Sequence, residues 1–394
     1  MRPAFDSRGL FLFFAMTGLA GIFSIHAQVT ITGFSDGTIP ISVPILSGAS
    51  GSEATAILTK DLERSGWFKV VSSGGEYKVE GSASGTGVQG KIFKRDGTVV
   101  GSATGAAGNL RRSVHQVTDA IVEKVAQKKG IAQTHIAFIS DKSGHKELYV
   151  MDYDGYNVMR LTSDNSMVVS PHFSPKGNKI AYTSYKSAYP DVYVSDYPTG
   201  SRQAVSRFPG LNSGASFSPD GLRLALTLSK DGNPELYTMS VGGGSLKRLT
   251  RTRGGESSPT WSPDGSQLAY ASDEGGRPQI YIISSAGGAG NRITSSPAYN
   301  TEPDWSAETG LIAYSSLRGE FCIAILDPKN GKSEVACSDG RCEDPSWARD
   351  GRHLVFTRTT GRHSELYVLD TVTKQVTQLT RNFGECSEPS WSGR

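Results

Sequence analysis

An excess of charge of either sign is what this sequence most plainly lacks. Lys and Arg total 41 against 38 Asp and Glu, a net charge of +3 over 394 residues. No run of five basic residues occurs. Both facts argue against the concentrated basic face of a nucleic-acid binder, so no nucleic-acid partner is expected. The signatures of common catalysts are missing too. There is no Gly-x-Ser-x-Gly elbow, no His-Glu-x-x-His and no phosphate loop. A serine hydrolase, a zinc peptidase and a nucleotide hydrolase each lose their usual sequence support. Cysteine is scarce, at four residues, and no Cys-x-x-Cys occurs. Beyond the first 27 residues no apolar run reaches membrane-spanning length.

Arg2 and Arg8 precede a largely apolar stretch from Leu10 to Ile25, and Ala27 offers a small residue before Gln28. That pattern predicts a secretory signal peptide over residues 1–27. Export suits the even cysteine count, since thiols pair in oxidising compartments.

Glycine is abundant, at 46 residues, and much of it falls in a repeat. An aromatic residue recurs at Phe173, Phe217, Trp261, Trp305, Trp347 and Trp391, with spacings of 44, 44, 44, 42 and 44. Ser-Pro-Asp-Gly follows it in the clearest copies, as at Ser218–Gly221 and Ser262–Gly265. Proline pre-sets the second position of such a turn and glycine closes the fourth. A tyrosine strand keeps the same period (Tyr149, Tyr193, Tyr237, Tyr281, Tyr367). So does a basic-aliphatic-hydroxyl end such as Arg160-Leu161-Thr162 or Arg248-Leu249-Thr250. Four strands per unit of about 44 residues define a propeller blade. The last copy stops after its aromatic strand and the first begins without one. The two fragments complete a sixth blade and close the ring, which removes exposed edges. The recurring aromatics are expected in the core between blades. The fold class is therefore mostly β: a six-bladed β-propeller over residues 131–394, closed by the C-terminal strand 388–392, after an N-terminal α/β domain over residues 28–130.

In that first domain, Ile41–Leu46, Phe68–Val71 and Tyr77–Ser84 read as strands, and Val88–Phe93 with Val99–Thr104 as a hairpin around Asp96-Gly97. Residues 52–64 and 109–128 read as amphipathic helices. Gln28, Val29, Thr30, Ile31, Thr32 and Gly33 open a polar, turn-prone arm.

In the propeller, Cys322 and Cys337 flank a turn, while Cys342 and Cys386 each lie five residues before their Trp. The expected disulfides are 322–337 and 342–386, with 337–342 the main alternative. His135, His145, His172, His353 and His363 are not expected to converge on a metal. Most occupy different repeat positions, and His145 and His363 share one only in non-adjacent blades. No cofactor is expected.

Asp152-Tyr153-Asp154-Gly155-Tyr156-Asn157, Leu228-Ser229-Lys230-Asp231-Gly232, Gly276-Arg277-Pro278-Gln279-Ile280-Tyr281 and Thr301-Glu302-Pro303 give the chain a resemblance to the TolB family of the Tol–Pal envelope system. The resemblance implies a periplasmic, non-enzymatic scaffold serving outer-membrane integrity and constriction at division. It implies that Pal, a peptidoglycan-associated lipoprotein, binds one propeller face, holding the chain peripherally at the outer membrane. TolA would engage the N-terminal arm. The Pal-facing residues are then expected in loops before the aromatic strands: Leu211, Asn212, Ser213 and Gly214; Glu256, Ser257 and Ser258; Asn300, Thr301 and Glu302; Glu343 and Asp344; Ser387 and Glu388. Glu302, Asp344 and Glu388 recur just before proline, an acidic cluster suited to a basic partner or a cation. A generic exported peptide- or glycan-binding propeller is the alternative.

Overall fold

The computed structural model describes residues 37–295 and 299–393. The predicted signal peptide and the arm from Gln28 to Gly33 lie outside them.

The N-terminal sheet uses strands β1 (Ile39–Ser42), β2 (Phe68–Val71), β3 (Tyr77–Ser84), β4 (Gly87–Lys94) and β5 (Val99–Gly105) in the order β2-β1-β3-β4-β5. β1 is parallel to both neighbours and the rest is antiparallel. Helices α1 (Gly51–Arg64) and α2 (Leu110–Ile121) pack together over the sheet. The apolar face expected for α1 is the buried one, with Ala54, Ile57, Leu58 and Leu62 in the core beside Val114, Val117 and Ile121 of α2. Asn109 caps α2 by accepting the Arg112 N–H at 2.9 Å. Gly105 permits the close approach of α2 to β5, since a Cβ there would stand 1.9 Å from the Ser113 carbonyl oxygen. β1 is displaced from the predicted Ile41–Leu46 to Ile39–Ser42. Its partners set that boundary: Ile39 to Ser42 match Phe68 to Val71, and the chain then passes through Pro44, which has no N–H to offer a ladder.

Six four-stranded antiparallel sheets follow. Blade II spans Val168–Ser206, blade III Asn212–Arg248, blade IV Glu256–Arg292, blade V Asn300–Cys337 and blade VI Arg341–Gln378. Blade I joins His135–Ser140, Glu147–Asp152 and Met159–Arg160 to the C-terminal Cys386–Trp391, which supplies its inner strand. Phe173, Phe217, Trp261, Trp305, Trp347 and Trp391 are all buried. The repeat motifs have visible jobs. The Ser of each Ser-Pro-Asp-Gly turn accepts an N–H from the next strand, as Ser218 does from Arg223 and Ser262 from Gln267, both at 3.0 Å. The terminal Thr of the basic-aliphatic-Thr ends accepts a neighbouring strand's N–H: Thr162 from Leu148, Thr250 from Leu236, Thr294 from Ile280 and Thr380 from Leu366, at 2.9–3.0 Å. No helix among the described residues is long and apolar enough to cross a membrane.

The α/β domain sits at the end of the ring that carries the Ser-Pro-Asp-Gly turns. Its contacts run to Asp152, Tyr153 and Asp154 of blade I and to Arg352 of blade VI. The inner strands begin at the opposite end.

Candidate functional site

The inner strand of each blade carries one β-bulge, at the same place in every copy. The bulge residues are Ser170, Gly214, Ser258, Glu302, Asp344 and Glu388, all with φ between 51° and 62°. Five of the six are not glycine, so each holds a left-handed backbone that costs free energy, a feature that clusters at functional positions. Together they ring a central cavity of about 430 Å³, lined also by Lys146, His172, Asp304 and Glu343. A second groove of about 300 Å³ continues along the rim past Leu211, Ser213, Glu256, Ser257 and Thr301.

Hydrogen bonds lock the ring from blade to blade. Glu302 Oε2 accepts the Asp344 N–H at 3.3 Å, Asp344 Oδ2 accepts the Glu388 N–H at 3.2 Å, and Glu388 Oε2 accepts the Ser170 N–H at 2.6 Å. Next to the bulges, side chains receive the N–H of the following blade's aromatic residue. Asp304 accepts from Trp347 at 2.7 Å, Ser346 from Trp391 at 3.1 Å and Ser390 from Phe173 at 3.0 Å. Five carboxyl groups in one cavity carry an electrostatic cost. Burial raises Glu302 well above its ordinary range, and the neighbouring Asp344 charge adds to it. The same two causes raise Glu388 to about 7. Burial also raises Asp344, and takes Asp304 to about 6. At neutral pH this side of the channel is thus only partly charged, and each proton it binds relieves repulsion.

Of the expected partner-facing residues only Leu211 lies in a loop; the others occupy the first halves of the inner strands. Gly214, Ser258, Glu302, Glu343, Asp344, Ser387 and Glu388 line the cavity, and Leu211, Ser213, Ser257 and Thr301 the adjoining groove. Asn212 and Asn300 are corrected, and Glu256 borders the groove only with a buried side chain. All three are buried, Glu256 bonded within its own blade and Asn212 and Asn300 to the blade before theirs. Asn212 accepts from Ser206 Oγ at 2.7 Å, Glu256 from Ser272 Oγ at 2.9 Å, and Asn300 donates to Gln279 at 2.8 Å. Ser170, Pro171 and His172 complete the ring and were omitted from the sequence-based set, although they share the repeat position of the others.

All four cysteines are free, buried thiols. The sulfurs of Cys337 and Cys342, the alternative pairing, lie 3.6 Å apart. Cys322 instead donates to the Ser316 carbonyl at 3.2 Å. Ring closure makes the blades of His145 and His363 neighbours, contrary to the expectation. His145 is exposed and His363 faces Glu385 at 3.0 Å. His172 accepts from the Phe217 N–H at 3.4 Å, and His353 faces Asp350 at 2.6 Å.

A second polar cluster joins the two domains, with nothing in local sequence spacing to announce it. His115 of α2 lies between Asp61 of α1, 2.7 Å from Nδ1, and Asp154 of blade I, 3.6 Å from Nε2. Tyr153 donates to Asp61 at 2.6 Å, and Arg111 pairs with Asp154 at 2.5 Å. Burial opposes charge on His115, but the hydrogen bond to Asp61 and the fields of Asp154 and Asp152 outweigh it and raise its pKa. Asp61, His115 and Asp154 offer ligand atoms within 4.8 Å of one another. Arg111 and Arg64 already oppose Asp154, however, so the cluster works as an ion-pair network rather than a cation site.

Fold and site define a six-bladed propeller with an acidic, bulge-lined channel and an α/β domain docked on the far face. A family model described as the TolB beta propeller domain matches residues 122–394. The chain belongs to the TolB family. Its structure is similar to the crystal structure of TolB from Acinetobacter baumannii, with a TM-score of 0.80 and 27% identity over 91% of this chain and 97% of that one. The Tol-Pal system protein TolB of Dechloromonas aromatica is 31% identical over 203 residues, 44% of this chain and 47% of its own length. That of Geobacter sulfurreducens is 44% identical over 77 residues, 20% of this chain and 18% of its own. The chain spans about half the length, or less, of these curated relatives.

Proposed function

We propose that this chain is a non-catalytic docking scaffold of the Tol–Pal system in the periplasm, exported by the signal at residues 1–27. Pal docks on the channel mouth, over the rim formed by Ser213, Ser257, Thr301, Glu343 and Ser387. TolA engages the α/β domain, on the opposite side of the ring, together with the arm from Gln28 to Gly33. The two engagements together couple the outer membrane to the envelope machinery used in constriction. The observation that supports this reading most is the rim itself: strained, partly charged and facing away from the docked domain. His172, His353 and His363 are each held by a neighbouring group, which also favours a scaffold over a catalyst.

The test is calorimetric binding of the mature chain to the periplasmic domain of Pal. Ser257 is exposed and Glu343 half-buried at the rim, so Ser257→Arg with Glu343→Lys should weaken binding at least tenfold at an unchanged melting temperature. Unchanged affinity would remove Pal from this face. Retention of an unrelated peptide or glycan there, without Pal, would favour the generic binding propeller.

A further inference from the structure

We propose that Cys337 and Cys342 form a redox-active dithiol, which a small-molecule disulfide closes to a bond bracing the crossover from blade V to blade VI. Cys337 ends the outer strand Lys332–Cys337, and Cys342 is the second residue of the inner strand Arg341–Trp347. Only Ser338 to Arg341 separate them, with Gly340 turning the chain at φ 77°. Their sulfurs are in contact at 3.6 Å. Approach by about 1.5 Å reaches bonding distance.

Another crossover of the ring explains why these two cysteines pair. Where blade II passes to blade III, the same two positions hold Ser206 and Asn212, joined by a 2.7 Å hydrogen bond. Ser206 pairs with Val192 in its ladder as Cys337 pairs with Ile323. The thiol pair stands in the place of that polar brace. Cys386 holds the equivalent inner-strand position before blade I, where the nearby hydroxyls are Thr380 and Ser140. It therefore braces its own crossover, and Cys342 has no call on it. Cys322 is turned toward the Ser316 carbonyl.

The surroundings also order the chemistry. Arg358 donates to the Cys337 sulfur at 3.3 Å and is held by Asp339 at 3.3 Å. The hydrogen bond from Cys342, with Arg358 beside it, lowers the Cys337 thiol to about 6, while Cys342 is raised. Cys337 is thus the attacking thiolate. It attacks one sulfur of the oxidant, forms a mixed disulfide and expels one thiolate. Cys342 gives up its proton and attacks the Cys337 sulfur, expelling the second. Two protein thiols are oxidised and one disulfide is reduced to two thiols.

The experiment exposes the reduced mature chain to oxidised glutathione, alkylates the remaining thiols and maps peptides without reduction. The expected product links Cys337 to Cys342, with Cys322 and Cys386 alkylated. Two single variants test the order: Cys342→Ser should retain glutathione on Cys337, and Cys337→Ser should leave Cys342 without an adduct. A link from Cys322 to Cys337 or from Cys342 to Cys386 would overturn the proposal, as would full alkylation of Cys337 and Cys342 after oxidant.

Discussion

Deleting residues 388–394 should undo the ring. The deletion removes most of the inner strand of blade I, which pairs with His135–Ser140. It takes away Trp391, which is buried in the core shared with blade VI. Removing a buried Trp side chain costs about 3–5 kcal/mol. Trp391 Nε1 also donates to Thr134 at 2.7 Å, and Ser392 exchanges two 2.8 Å hydrogen bonds with the His135 backbone. Each contributes about 1 kcal/mol. Phe173 and Ser170 further lose their acceptors on Ser390 and Glu388. The sum, about 6–8 kcal/mol, exceeds the lower bound of whole-domain stability, about 5 kcal/mol, and the exposed strand edge adds an aggregation route. Urea and thermal denaturation of the truncated and full-length chains provide the assay. Trp391→Ala alone should lower the melting temperature by on the order of 10 °C, and the truncation by more. An unchanged midpoint for the truncation would refute ring closure as a source of stability.

Other outcomes follow from the same contacts. Tyr153→Phe strips Asp61 of a buried donor and should cost about 1–3 kcal/mol in urea denaturation. Gly105→Ala must push α2 from β5 and should destabilise the α/β domain, read as loss of amide protection across Leu110–Ile121. Glu388 titrates near 7 in the fold against 4.5 unfolded, so its stabilising contribution is full below pH 4.5 and is lost as pH rises through 7. Glu388→Gln should flatten the fall in stability over that window. His115 is also raised in the fold, above 6.5. Its contribution is full below pH 6.5 and is lost as pH rises through its raised value, and His115→Gln should remove that part of the pH dependence.

The propeller was legible because its signals repeat. A Trp or Phe every 44 residues or so, a Pro-Asp-Gly turn and a terminal Thr each serve one structural purpose in successive blades, so a weak local pattern gains weight with each copy. The helix faces were legible for the usual reason of period. The edge of β1 was not: alternation runs on through Val43 and Ile45, and only the partner strand's register ends the ladder at Ser42. The family resemblance pointed to the stretches before the aromatic strands, but the burial of Asn212, Glu256 and Asn300 was hidden. A polar side chain at a strand start looks the same in sequence whether it faces solvent or braces a crossover. The domain contact of Asp61, His115, Tyr153 and Asp154 draws on three distant segments, and no spacing reports it. The acceptor at Ser390 for the Phe173 N–H shows the same limit, since only ring closure brings the two together.

Site-specific photo-cross-linking in the periplasm of a cell with a tagged Pal tests the central claim most directly. A photoreactive residue at Ser257 or Thr301, on the channel rim, should capture Pal, and one at the exposed Leu222, in a turn on the opposite face, should not. Capture of Pal from Leu222 with none from the two rim positions would contradict the assignment of the docking face.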